Sequence, residues 1–139
     1  MTNFDQYLKT DFKFAMESLS YKQLPPAPAN TQMALTCRDL LEAKTELDKL
    51  MLRFTRSMKF EPESLYELSV TYTAVANINV QGLSAVDWDN IDLSAEIRNG
   101  HCTLLSNLVS RTSMMIAQIT SANGQVPVIT PPAIAKTNG

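Results

Sequence analysis

The run at residues 64–80, SLYELSVTYTAVANINV, is the feature that most constrains the fold. Its even positions are almost all apolar or aromatic, whereas most of its odd positions are Glu, Ser, Thr or Asn. Alternation with a period of two, rich in β-branched and aromatic residues, is typical of a strand with one buried face. Because the run is longer than an ordinary strand, we expect a bend, a bulge or a sheet shared with another chain.

A second alternating run, residues 50–60, lies just before this strand. Its even positions are mostly apolar, and its odd positions include Arg53, Thr55 and Lys59. The short connector between the two runs contains Pro62, which suits a tight turn. Two alternating runs joined by so short a loop predict an antiparallel hairpin over residues 50–80.

The first third of the chain has weaker patterns. Alternating aromatic and polar side chains predict an early strand at residues 10–21. A proline-rich connector follows at residues 24–30 and cannot continue a hydrogen-bonded ladder. Helical spacing in the next segment predicts a short helix at residues 36–48, with a loop or the start of a strand at residues 32–35 as the alternative. The residues that approximate this spacing are Cys37, Leu40, Leu41, Lys44, Leu47 and Leu50.

The later part of the chain changes to the period of an amphipathic helix, which we predict over residues 90–122. An Asn-Gly pair at residues 99–100 marks either a kink or a break between two helices. A second Asn-Gly pair at residues 123–124 suits a left-handed C-terminal cap. The apolar tail at residues 125–134 contains three prolines and should lie extended along the body. The buried stripe of the helix would include Leu104, Leu105, Leu108, Val109, Met115, Ile116 and Ile119.

Together these elements predict an α+β fold: an antiparallel sheet of three to four strands packed against a long C-terminal helix, in one domain over residues 1–139. The apolar fraction of 45% is sufficient for one core. The charged fraction of 19% is low for a small protein. This indicates that a partner or another copy of the chain covers some of the apolar surface.

Charge and hydropathy exclude several classes of partner. The net charge is −2, and the 12 Lys and Arg residues are scattered, so we expect no nucleic-acid binding. No apolar run approaches the roughly 20 residues of a membrane span. The first residues lack the basic and apolar regions of a secretory signal. We therefore expect a soluble, cytoplasmic protein without membrane insertion.

No set of residues has the spacing of a catalytic or metal site. His101 is the only histidine, and on a helix it would point away from its neighbour Cys102, so a Cys–His dyad is not expected. The acidic group of Asp87, Asp89 and Asp92 lacks the glycine and terminal glutamate of a calcium loop, and helix capping explains it more simply. We predict no catalytic residue, no metal and no cofactor, and hence no enzyme.

Seven methionines are many for a chain of this length. Because the thioether side chain is flexible and polarisable, Met-rich surfaces adapt to varied apolar ligands. Methionine also fills gaps in protein cores, and the sequence leaves both alternatives open.

The order of the predicted elements resembles that of the SecB-type protein-export chaperones and their short relatives. The stretch SLYELSVTYTAVANI is similar to that family's central strand. The stretch LLSNLVSRTSMMIAQITSANGQVPVITPPAI is similar to its C-terminal helix and proline-containing apolar tail. The family's fourth strand, with acidic residues that contact the translocase motor, has no counterpart between Asn79 and Asp89. We therefore assign no motor-contact residue, and residues 31–48 look like an addition to the family's fold.

The resemblance implies a homotetramer built as a dimer of dimers, in which grooves hold unfolded client polypeptides without any need for ATP. A protein translocase motor is a further candidate partner. Expected client-binding residues are the apolar or aromatic side chains of Tyr66, Leu68, Tyr72, Met58, Phe60, Met114, Met115 and Ile129.

The leading function is thus a SecB-like molecular chaperone, a holdase for unfolded or export-destined polypeptides, including the variant in which the client is an antitoxin. The alternative is a structural or assembly subunit of a phage particle or secretion apparatus. It is motivated by the low charge, the long strand and the apolar tail, which suit a permanent interface equally well.

Overall fold

Four antiparallel strands form the body of the computed structural model, which describes residues 2–134. In chain order the strands are β1 (Lys13–Gln23), β2 (Ala34–Glu46), β3 (Lys49–Glu61) and β4 (Tyr66–Asn77). The helices are α1 (Val80–Ala85), α2 (Leu93–Asn99) and α3 (Thr103–Ala122), and a short 3-10 turn (Phe4–Tyr7) precedes the sheet. The spatial strand order is β1-β4-β3-β2. The predicted α+β fold, an antiparallel sheet with a long C-terminal helix, is confirmed.

The sheet has one apolar face, because residues opposite one another in a ladder point to the same side. Phe54 of β3 stands opposite both Tyr72 of β4 and Leu41 of β2. α3 packs over β4 and β3 on this side, which we call the helix face; the other side is the open face. The buried residues of α3 are Leu104, Leu105, Leu108, Val109, Thr112, Ile116, Ile119 and Thr120.

The helix predicted at residues 36–48 is wrong, because this segment is the edge strand β2, paired with β3 along its whole length. The helical spacing counted Leu40 and Leu47 as buried, but these side chains are 55% and 92% exposed. Leu47 lies in the tight turn to β3 with a left-handed φ of 57°. A complete ladder with β3 outweighs weak local spacing. β2 makes the sheet four-stranded without a strand between residues 79 and 89, so most of residues 31–48 belongs to the sheet and is not an addition.

The irregularity expected in the run at residues 64–80 occurs elsewhere. β4 pairs regularly with β3, whereas β1 carries a bulge at Glu17, between the Met16–Tyr72 and Ser18–Thr71 pairs. The last residues of the alternating run leave the sheet after residue 77. The backbone then turns into α1. The side chain of Asn79 caps the first turn of this helix by accepting a hydrogen bond from the backbone N–H of Gly82.

The Asn-Gly pair at residues 99–100 is a break between α2 and α3. Glycine is needed there by close packing, since a Cβ on Gly100 would lie 2.5 Å from the carbonyl oxygen of Thr2. His101 follows the break, in the link between the two helices and not on a helix face as the sequence indicated.

The N-terminus of α3 is capped by a residue from the start of the chain. One carboxylate oxygen of Asp5 accepts a hydrogen bond from the backbone N–H of Thr103 at 2.7 Å, and the other accepts from the Thr103 hydroxyl. The second oxygen is also 2.9 Å from Nε2 of His101. Burial alone would raise the pKa of Asp5, but the hydrogen bonds from Thr103 and the nearby His101 outweigh it and lower that pKa.

This cap makes the stability of the protein pH-dependent. Because the pKa of Asp5 is lower in the folded than in the unfolded state, its stabilisation is present above the unfolded pKa near 3.8 and is lost as the pH falls through the folded pKa. We expect Asp5→Asn to lower the free energy of unfolding by about 1 kcal/mol at pH 7, since it removes a charge at a helix N-terminus. Urea unfolding at pH 7 and near pH 2.5 checks this; an equal loss at both pH values would contradict it.

α3 ends in a Schellman motif at the second Asn-Gly pair. Gly124 has a left-handed φ of 78°, and its N–H donates to the carbonyl of Ser121. The N–H of Gln125 donates to the carbonyl of Thr120 at 3.0 Å. The tail then runs extended between α3 and the β2–β3 half of the helix face.

Candidate functional site

α3 covers only part of the helix face and leaves the apolar side of β1 open. Tyr72, Met114 and Met115 line an open groove of about 500 Å³ along α3. Met16, which stands opposite Tyr72 in the ladder, and Leu19 continue this apolar surface towards the outer edge of β1. Met114, Met16 and Leu19 are 64%, 45% and 43% exposed. We call this surface, defined by these five residues, the β1–α3 groove.

The outer edge of β1 is unpaired within residues 2–134. Free N–H and C=O groups on such an edge can form a ladder with an extended segment of another chain. The groove lies beside this edge, so a segment that added to β1 would direct every second side chain into it. Backbone groups and apolar contacts are thus available together for an extended polypeptide.

Arg111 borders the groove where α3 approaches the start of β1. Its guanidinium carbon is 4.2 Å from the centre of the Phe14 ring, in the geometry of a cation–π contact. This side-chain contact spans the gap between α3 and the start of β1 and places one positive charge in the groove lining.

The structure separates the eight residues that the sequence predicted for client binding. Tyr72, Met114 and Met115 come together in the groove. Ile129 lies on the tail and is 80% exposed. Three more predicted residues, Tyr66, Leu68 and Met58, are core side chains, each 2% exposed. The last, Phe60, is half-buried and packs edge-on against the Tyr66 ring.

Two groove residues were not among the eight predicted for client binding. Met16 belonged to the alternating pattern of the early strand, but nothing in that pattern distinguished it from a buried core residue. Leu19 is odd-numbered and would lie on the opposite face of a regular strand. The bulge at Glu17 shifts the alternation by one residue and brings Leu19 to the side of Met16.

A second feature lies on the other side of α3, beneath the tail. Arg56 occupies an even position of β3 among apolar residues and is 1% exposed. Its guanidinium donates to both carboxylate oxygens of Asp39, at 2.7 and 2.8 Å. It also donates to the hydroxyl of Thr130 and the carbonyl of Pro131 on the tail. We call the surface formed by Arg56, Asp39 and the adjoining side of α3 the Arg56 cleft.

Arg56 stays protonated despite its burial. Burial alone would lower its pKa, but the hydrogen bonds and the charge of Asp39 raise that pKa above its ordinary value. The cleft therefore contains a permanent ion pair between β3 and β2, and Arg56 also donates hydrogen bonds to the tail.

His101 and Cys102 line a small cavity that tail residues 132–134 border, but they are not arranged for nucleophilic catalysis. Cys102 is 5% exposed, and burial raises its pKa to about 11. A thiol with that pKa is protonated near neutral pH and is a poor nucleophile. The carboxylate beside His101 is Asp5, which caps α3. No group of His, Cys, Asp and Glu side chains in the described part of the chain could hold a metal ion.

Comparison with known proteins relates this fold to one class of chaperone. No protein-family model matches the sequence, and no curated protein matches it significantly. Among solved structures, the fold is similar to that of a SecB-like chaperone of Mycobacterium tuberculosis in complex with a ChAD peptide from the HigA1 antitoxin. The TM-score is 0.71 over 92% of each chain, at 7% sequence identity. The chain therefore has a SecB-like fold. None of its helices, within the described residues, is long and apolar enough to cross a membrane.

Proposed function

We propose that this protein is a SecB-like chaperone, a holdase that binds unfolded or export-destined polypeptides and catalyses no reaction. The observation that carries the proposal is the β1–α3 groove, an exposed apolar surface beside a free strand edge. The similar Mycobacterium fold binds a peptide from a partner protein. That supports an extended polypeptide segment as the class of ligand.

The chemistry of the groove suits ligands of varied sequence. A client strand that pairs with the edge of β1 uses main-chain hydrogen bonds, which every residue except proline can make. The three methionines, Met16, Met114 and Met115, adapt to side chains of different shape because their thioethers are flexible. Binding of this kind is passive and needs no nucleotide or other cofactor.

Self-association belongs to the same proposal. Apolar side chains outside the groove are exposed as well, among them Val80 and Leu83 at 84% and 48%. Such surface on a small domain is commonly covered in an assembly, and we propose a homotetramer in the cytoplasm as the working form. A translocase motor stays a candidate partner without an assigned contact. Native mass spectrometry tests the assembly: a discrete tetramer agrees with the proposal, whereas a large ring or polymer favours a structural or assembly subunit.

The groove is tested by the double variant Met16→Glu/Met114→Glu. We expect it to abolish the suppression of insulin B-chain aggregation that the unaltered protein gives at a stoichiometric ratio, because two carboxylates would have to be buried against the client. Light scattering after reduction of insulin measures the effect. Native mass of the variant separates lost client binding from lost self-association.

The matched control is Leu40→Glu/Leu47→Glu, which places the same charges on exposed leucines outside the groove. It should suppress aggregation as well as the unaltered protein does. Full suppression by the methionine double variant would remove the groove as the client site. No suppression by the unaltered protein, even at several-fold excess, would overturn the chaperone function itself.

A further inference from the structure

The tail is docked in the Arg56 cleft as an extended strand would be. Val128 packs in the cluster that contains Met58 and Tyr66, and its N–H donates to the Thr120 hydroxyl at 3.0 Å. Two residues later, Thr130 is 5% exposed, whereas Ile129 between them is 80% exposed. Over residues 128–130 the tail therefore alternates between side chains that face the cleft and one that faces solvent, which is the period of a β-strand.

Most of the hydrogen bonds to the tail are made to groups that do not depend on its sequence. Arg56 donates to the carbonyl of Pro131 at 2.7 Å and to that of Ala133 at 3.3 Å. The Ser113 hydroxyl donates to the carbonyl of Thr130 at 2.8 Å. Three main-chain carbonyls are thus bound by side chains from β3 and α3, and any extended polypeptide can offer the same acceptors.

The connection between α3 and the docked segment is not part of the cleft. The Schellman motif closes α3 with its own backbone groups, so the helix end does not depend on docking. Val126, which follows that motif, is 82% exposed. Contacts with the cleft begin at Val128, so the segment can leave while α3 and its cap stay formed.

We propose that the Arg56 cleft is a second binding site for an extended apolar segment of a client polypeptide, and that the protein's own tail occupies it as a displaceable competitor. This inference rests on the proposed chaperone function. A tethered segment has a high effective concentration at its site. The apparent affinity for a client at the cleft is therefore the intrinsic affinity multiplied by the fraction of time that the tail is undocked.

The test uses the full chain with Val128→Asp, which places a charge in the apolar cluster and should undock the tail. The matched control is Val126→Asp, the same change at an exposed position of the same segment. The probe is a fluorescein-labelled peptide with the sequence of residues 125–134, QVPVITPPAI. We expect the probe to bind Val128→Asp about tenfold more tightly than it binds Val126→Asp or the unaltered protein.

Hydrogen exchange of the amide at position 128, which donates to the Thr120 hydroxyl when the tail is docked, reports docking directly. This amide should be protected in Val126→Asp, should exchange faster in Val128→Asp, and should lose protection in Val126→Asp when the probe saturates the cleft. Equal probe affinity for the two variants, with the tail released in only one, would overturn the proposal. Unchanged protection in Val128→Asp would also overturn it, because the docking contact itself would be absent.

Failure of this proposal is distinguishable from failure of the chaperone function. Suppression of insulin B-chain aggregation without any probe binding at the cleft would remove the tail mechanism and leave the holdase. Probe binding with release of the tail, but no suppression of aggregation, would overturn the chaperone function and leave the cleft as a site for an extended peptide.

Discussion

Arg56→Met should lower the free energy of unfolding by about 3–5 kcal/mol, because it removes the guanidinium that forms an ion pair with the buried Asp39 carboxylate. The two side chains are 1% and 2% exposed and are joined by two short hydrogen bonds. Asp39→Leu should cost a similar amount, since it leaves a buried cation unpaired.

The double variant Arg56→Met/Asp39→Leu should recover most of that loss. Two apolar side chains of similar volume avoid the desolvation penalty of the ion pair. Recovery should be incomplete, because Arg56 also donates to the tail at Thr130 and Pro131. Chemical denaturation of the four proteins in a double-mutant cycle measures the coupling. A double variant as unstable as the sum of the single variants would contradict this account.

The second large effect is expected from Leu108→Ala in α3. Leu108 is fully buried between α3 and the sheet, so its truncation should leave a cavity and lower the free energy of unfolding by about 2–5 kcal/mol. Met114→Ala on the same helix removes a side chain that is 64% exposed. It should change the free energy of unfolding by less than about 0.5 kcal/mol. Urea unfolding of both variants checks the difference, and equal losses would contradict the packing described for α3.

Local patterns were sufficient for the elements that pack on one side only. β3, β4 and α3 each bury one face against the core, so their periods of 2 and 3.6 residues are visible in the sequence. β2 was not predicted because its local pattern approximates helical spacing. Leu40 in β2 and Leu47 in the turn that follows are exposed and disturbed the alternation, and the pairing of β2 with β3 is a property of two segments and not of one.

The candidate site was predicted in part, for the same reason. Tyr72 shares its alternating pattern with Tyr66 and Leu68, yet α3 and the tail bury the latter two and leave Tyr72 at the groove. A pattern indicates that a face is apolar; it does not indicate which part of that face another element covers. Leu19 reaches the groove only because of the bulge at Glu17, and no local sequence pattern predicted that bulge.

The sequence by itself determined the one-sided strands, the long helix with its Asn-Gly C-terminal cap and the extended course of the tail, because each depends on neighbouring residues. Only the tertiary structure decided that α3 stops short of β1 and that the tail covers the β2–β3 side. Arg56 illustrates the difference. It interrupts an apolar face, and its partners lie 17 residues away at Asp39 and 74 residues away at Thr130. Contacts over such separations arise only when the folded chain brings the segments together.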